Sequence, residues 1–134
     1  MKSVTKVLAF LLLVACGGDS EETIDISGFI GTWRIASIQE LPSTPEYPTF
    51  GIYELTFVEP KSCSLNTDVN ICTGTFQVSK EKKIQISLDC TNISGDSDYA
   101  MVMVNLLNAT QYYYYSNDTL ALTGPGRVKM TKAL

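Results

Sequence analysis

Four cysteines hold most of the reactive chemistry in this 134-residue sequence, which contains no histidine. The absence of histidine removes Ser-His-Asp and Cys-His catalysis, His-containing zinc sites and an imidazole pH switch. An enzyme made from these residues would have to use carboxylates, tyrosines or a lone thiol. Cys63, Cys72 and Cys90 suit a different chemistry. In an oxidising compartment two of them can form a disulfide, and the odd count leaves one thiol over. Cys63 and Cys72 flank Ser64 to Ile71, read as a polar loop between two strand-like runs. A cross-hairpin Cys63–Cys72 bridge is the first expectation, with Cys72–Cys90 as runner-up. Either stabilises by about 2–4 kcal/mol when unstrained. The remaining thiol is expected to be buried and inert, since no histidine can activate it.

Cys16 has another chemistry. Lys2 and Lys6 form a short basic region, Val7 to Val14 an apolar run, and small Ala15 precedes the cysteine. The run is shorter than the roughly 20 residues that cross a bilayer. Charge, length and small-residue ending fit a secretory signal over residues 1–15. Leu13-Val14-Ala15-Cys16 resembles a bacterial lipobox, whose cysteine is diacylated and becomes the first mature residue. Several acyl chains on Cys16 would make the membrane anchor permanent, since stable anchoring takes two or more. Gly17-Gly18-Asp19-Ser20-Glu21-Glu22 has no apolar residue, so residues 16–27 read as the lipidated cysteine and a flexible tether. Its acidic cluster resembles the surface-export signal of Bacteroidota lipoproteins. Gly17 stands where an inner-membrane retention aspartate would sit, which points to the outer membrane.

Removing residues 1–15 takes away Lys2 and Lys6 and moves the formal charge from -4 to -6. That balance argues against nucleic acid, whose binding needs clustered Lys and Arg. The expected partners are the membrane, through the lipid on Cys16, and a protein of the cell envelope.

The other candidate sites are short. Asp96-Ser97-Asp98 has fragments of a calcium loop but lacks the further ligands and the glycine, so helix capping is its expected role. Gly124-Pro125-Gly126-Arg127 reads as a hairpin turn rather than an anion site. Asp118-Thr119-Leu120 resembles a short O-glycosylation motif and also makes sense as turn plus strand. Glu54 and Asp89 are formal candidates for paired acid–base work. No cofactor or metal is implied. In Tyr112-Tyr113-Tyr114-Tyr115, alternate rings face opposite ways. One pair joins the core; the other, taken as Tyr113 and Tyr115, offers a possible interaction surface with apolar area and a polar tip.

The elements that position these residues follow from periodicity. Gly31 to Ile38 is a strand with Trp33 and Ile35 on one face. Leu41 to Gly51 carries Pro42, Pro45 and Pro48 and reads as a loop. Tyr53, Leu55 and Phe57 mark a strand that Pro60 stops. Phe76 and Val78, then Ile84, Ile86 and Leu88, mark two strands around a Lys80-Glu81-Lys82-Lys83 tip. Tyr99, Val102, Met103, Leu106 and Leu107 share a helical face, which predicts a helix from about Ser97 to Asn108. Three strands follow, turning at Ser116-Asn117-Asp118 and at Gly124-Pro125-Gly126. The expected fold is mostly β: a strongly curved antiparallel sheet or partly open barrel, with one helix before the last three strands.

This order resembles the META domain, also found in HslJ-type lipoproteins, over about residues 28–132. The matching positions are Gly31-Thr32-Trp33, then Asn70, Gly74 and Phe76, then Leu106 and Leu107. Tyr112, Asn117, Asp118, Leu120, Leu122 and Met130 complete them. Val69 stands where the family often has a cysteine, and Cys72 lies within the motif, so the family's disulfide does not carry over. The resemblance implies a META-like domain over 28–134 in a lipid-anchored envelope protein with a non-catalytic stress, structural or interaction role. The alternative is a lipocalin-like barrel, which also opens on Gly-x-Trp; it would enclose an apolar pocket of roughly 300 Å³ or more.

Overall fold

Period-two alternation dominates this chain, and alternation with one apolar face needs a closed surface to bury that face. The computed structural model, which describes residues 23–90 and 95–134, shows how it closes. The strands are β1 (Gly31–Gln39), β2 (Tyr47–Pro48), β3 (Glu54–Val58), β4 (Ser62–Asn66), β5 (Ile71–Ser79) and β6 (Lys83–Asp89). Helix α1 (Asp98–Asn108) follows, then β7 (Tyr112–Ser116), β8 (Thr119–Thr123) and β9 (Arg127–Lys132). They form one antiparallel sheet in the order β2-β1-β3-β4-β5-β6-β7-β8-β9. β1 also pairs with β9, so eight strands close into a barrel and β2 is an extra strand on β1. The expected mostly-β fold, with one helix before the last three strands, is therefore observed.

The inner face is read off the alternation. Trp33 and Ile35 on β1, Leu55 and Phe57 on β3, and Ile84, Ile86 and Leu88 on β6 all point inward and are buried. Between Ile35 and Ser37 the β1–β9 register shifts. This bulge adds one residue and turns Ile38 inward opposite Val128. Helix α1 lays Ala100, Met103 and Leu107 on the same core. Phe29 caps one end of the barrel, edge-on to Phe57 and Tyr113. Its carbonyl accepts a hydrogen bond from Trp33 Nε1 at 2.8 Å. Trp33, Leu55, Leu65, Met103, Leu107, Leu120 and Met130 are 0 % exposed. Full inaccessibility means that no water-sized space touches them from outside or from within, so the axis is filled with side chains.

Two stretches depart from the expectation. Ser62–Asn66, placed in or beside the cysteine loop, is strand β4, with Cys63 and Leu65 inward. The true turn is only Thr67 to Asn70, where the Thr67 N–H and hydroxyl donate to the Asn70 carbonyl, both at 2.9 Å. The proline loop also contributes Tyr47–Pro48 as β2, opposite Ser37 and Ile38. Pro48 is tolerated there because the pair lies at the edge, where one N–H is not required. Residues 1–15, Cys16 and the tether as far as Glu22 lie outside the described residues.

Candidate functional site

The barrel end opposite Phe29 gathers the turn Thr67–Asn70, the segment before β3 and the start of α1. Ser97 is the N-cap of α1, accepting from the Ala100 N–H at 3.2 Å. Its own N–H (3.0 Å) and hydroxyl (2.6 Å) donate to Asp68 Oδ2 on the β4–β5 turn. The Tyr53 hydroxyl donates to Asp68 Oδ1. Asp96 bonds the same turn, accepting from the Val69 N–H (3.2 Å) and from Asn70 Nδ2 (2.9 Å). Asp96-Ser97-Asp98 therefore does cap the helix, through Ser97 alone, while Asp96 ties the helix entry to a hairpin.

These bonds build a recess of about 330 Å³ lined by Phe50, Gly51, Tyr53, Asp68, Ser97 and Tyr99. The Tyr53 and Tyr99 rings lie 5.8 Å apart, centre to centre, at 35°. The Tyr99 hydroxyl is buried with no hydrogen-bond partner among the described residues. Burial, then Tyr53, pushes its pKa up to about 12. The Asp68 carboxyl is held below its ordinary value, first by the Ser97 hydroxyl and then by Tyr53, so it is anionic at neutral pH. Among the described residues no Lys or Arg forms an ion pair with Asp68, Asp96 or Asp98. Phe50 in the lining is 92 % exposed, and Ile52, Val69 and Ile71, next to lining or turn residues in the chain, are 68 %, 65 % and 66 % exposed.

Nothing in the sequence pointed to this recess. Asp68 reads as a turn residue and Phe50 as part of a proline loop. The available signal was the run of exposed apolar types, Phe50, Ile52, Val69 and Ile71, beside turn residues.

The predicted site residues fall elsewhere. The disulfide joins Cys72 to Cys90, with their Cα atoms 4.3 Å apart, and Cys63 is free and buried. Register explains why the first expectation fails. On β4–β5, Cys63 lies opposite Gly74 and Cys72 opposite Leu65, so the two cysteines are diagonal. On β5–β6, Thr73 lies opposite Asp89, which brings Cys72 and Cys90 opposite one residue further on. Burial pushes the Cys63 thiol up to about 11, so it is protonated and unreactive at neutral pH.

The tyrosine parity is also reversed. Tyr113 and Tyr115 lie opposite the buried Leu122 and Leu120, on the inner face. Tyr113 packs on Phe29 at 4.6 Å and Tyr115 edge-on to Trp33 at 5.8 Å; Tyr115 is still about half exposed at the rim. The outward pair is Tyr112 and Tyr114, with Lys82 Nζ 5.9 Å from the Tyr114 ring centre. The signal was present in the sequence. A two-residue turn at Asn117-Asp118 puts 115 and 113 opposite 120 and 122, and Leu120 and Leu122 are the apolar pair.

Glu54 pairs with Arg34 at 3.0 Å on β1, and Asp89 stands at the end of β6, with β4 and β5 between them. The structure does not bring these carboxylates together. Gly124-Pro125-Gly126 is the β8–β9 turn, and Arg127 pairs with Glu46 at 3.2 Å. Asp118-Thr119-Leu120 is turn and strand, with Leu120 buried. Among the described residues no group of three or more Cys, Asp or Glu is placed to hold a metal, and no helix is long and apolar enough to cross a membrane.

No known family's sequence profile matches the chain, and no curated protein matches it. Two solved structures share its fold. One is a crystal structure of a DUF4847 family protein from Bacteroides vulgatus ATCC 8482, with TM-score 0.64 and 14 % identity over 78 % of this chain and 94 % of that one. The other is an NMR structure of a protein from Burkholderia xenovorans, with TM-score 0.62 and 11 % identity over 77 % and 81 %.

Proposed function

We propose that this protein is lipid-anchored in a bacterial outer membrane through Cys16 and that its META-like barrel is a non-catalytic interaction module of the cell envelope. The observation that carries the interaction part is the filled axis: seven of the largest core side chains are 0 % exposed. A barrel without interior space near them presents its outer surface and its ends instead. A lipocalin-like carrier shares the closed antiparallel barrel, but it would bind within that axis. The lipid anchor rests on Leu13-Val14-Ala15-Cys16 and the tether after it. Ile26 and Phe29 pack at one end of the barrel, so the tether would join the domain at that end, opposite Asp68.

The test is metabolic labelling with radioactive palmitate in a bacterial host, wild type against Cys16→Ser, followed by native mass spectrometry. A labelled, membrane-bound wild type and an unlabelled variant support the anchor; an unlabelled wild type overturns it. A bare native mass of the variant supports the interaction reading. A co-purifying small molecule in the barrel replaces it with the carrier reading.

A further inference from the structure

The geometry points to the Asp68 end as a docking surface that seats an arginine or lysine side chain of a partner protein against Asp68, beside Phe50 and Tyr99. This deepens the interaction reading above, on which it rests, and does not depend on the lipid anchor.

Three independent features converge. The first is charge. Asp68 lines the recess and Asp96 bonds the same turn, and neither has an ion-pair partner among the described residues. The start of α1 contributes only about +0.5 charge, which these two carboxylates outweigh. The local field therefore favours a cation. Asp68 keeps acceptor capacity: Oδ1 receives the Tyr53 hydroxyl alone among the described residues, and a carboxylate oxygen can accept two bonds.

The second is the wall. Phe50 is almost fully exposed and Tyr99 is partly so, while Tyr53 is buried behind Tyr99, its ring centre 5.8 Å away, and reaches the recess only at its edge. Cations lie favourably over such ring faces within about 6 Å of the centroid. The Tyr53 hydroxyl, bonded to Asp68, fixes its ring relative to the carboxylate.

The third is the rim. Ile52, Val69 and Ile71 are each about two-thirds exposed and flank the recess in the chain. Exposed apolar side chains next in sequence to the residues of a charged recess, with Phe50 in its lining, suit a protein interface better than a site for a free ion. A recess of about 330 Å³ takes one long side chain rather than a folded element. The occupant is thus a basic residue flanked by apolar ones on a partner's surface.

The experiment is an NMR titration of the full-length protein in non-ionic detergent with N-acetyl-arginine methylamide. N-acetyl-norleucine methylamide serves as the neutral control and maltose as a sugar control. The expected result is saturable shifts confined to Phe50, Tyr53, Val69 and Tyr99 with the arginine probe alone. Phe50→Ala, at a site too exposed to disturb folding, should weaken binding by about threefold to tenfold. Asp68→Asn should abolish it; Tyr53→Phe, which keeps the ring, separates loss of charge from loss of fold and should weaken it less. Equal shifts with norleucine, saturation by maltose, or no localised shift with arginine would each overturn the inference. None of these outcomes bears on palmitate labelling, so the anchor stands or falls separately.

Discussion

Leu88 on β6 and Asn108 at the end of α1 are joined in both directions: the Leu88 N–H donates to Asn108 Oδ1 at 2.7 Å, and Asn108 Nδ2 donates to the Leu88 carbonyl at 3.2 Å. One side-chain amide thus presents the donor and acceptor of a neighbouring strand. It is needed because β7 pairs with β6 only near Lys83 and Tyr112. Beyond that point the barrel wall passes from strand to helix, and Leu88 would keep two unpaired backbone groups in a largely buried place.

Replacing Asn108 by leucine should therefore cost about 0.5–1.5 kcal/mol, the net worth of such bonds, because Asn108 is itself exposed and water can reach the freed groups. Asn108→Asp keeps the acceptor for the Leu88 N–H but sets a carboxylate oxygen against the Leu88 carbonyl, so it should also destabilise at neutral pH, and less so at a pH where the carboxyl is protonated. Urea denaturation measures the cost, and hydrogen exchange at the Leu88 amide shows whether it is local. Unchanged Leu88 protection in Asn108→Leu would mean that the amide is dispensable.

Gly74 is fixed by distance rather than by backbone conformation. A Cβ there would stand 1.8 Å from the Ser87 carbonyl oxygen on β6. Gly74→Ala should force β5 and β6 apart and cost about 1–3 kcal/mol or more, as overpacking does. Gly28→Ala is the control, because its Cβ meets only the Tyr115 ring at 3.7 Å, an ordinary contact. Thermal denaturation of both variants should separate them clearly.

The sequence carried the fold well wherever alternation was clean. Ile84, Ile86 and Leu88 fixed β6, and the three-and-four spacing of Tyr99 to Leu107 fixed α1. It failed at Ser62–Asn66, where only Cys63 and Leu65 are apolar and the small polar residues between them look like loop. That one missing strand also moved the hairpin centre, and with it the expected disulfide. Tyrosine parity was readable from the two-residue turn at Asn117-Asp118, but the choice of Tyr113 and Tyr115 went against it. The recess was not legible, because Tyr53, Asp68 and Tyr99 meet only once the barrel has closed.

The cysteines give a chemical test of that register. The native protein, with Cys16 replaced by serine, should resist alkylation, since Cys63 is buried and its thiol protonated. Unfolded without reductant, it should take up one adduct, mapping to Cys63. The double variant Cys72→Ser with Cys90→Ser should lose about 2–4 kcal/mol, the usual contribution of a bridge closing a loop of this size. An adduct on Cys72 or Cys90 in the oxidised protein would refute the pairing.

Glu46 holds the β1–β3 connection against the barrel wall. It accepts from the Ser37 hydroxyl and pairs with Arg127 and Lys129, each at 3.2 Å. The Ser37 bond, followed by that of Lys129, lowers the Glu46 carboxyl below its ordinary 4.5. A carboxyl lowered by folding stabilises the folded form fully above its unfolded value and loses that contribution as pH falls through the folded one. The latch should therefore be intact at neutral pH and weaken below about 4.5. Its reporter is the Thr49 amide, which donates to the Ala36 carbonyl at 3.0 Å next to the latch. Exchange at Thr49, corrected for intrinsic acid dependence, should accelerate below that pH in the wild type, while Glu46→Gln should be faster at neutral pH and show no further step. Because Glu46 is largely exposed, the effect should stay local, leaving exchange in β6 unchanged over the same range. A parallel loss of protection in β6 would assign the transition to the whole barrel instead.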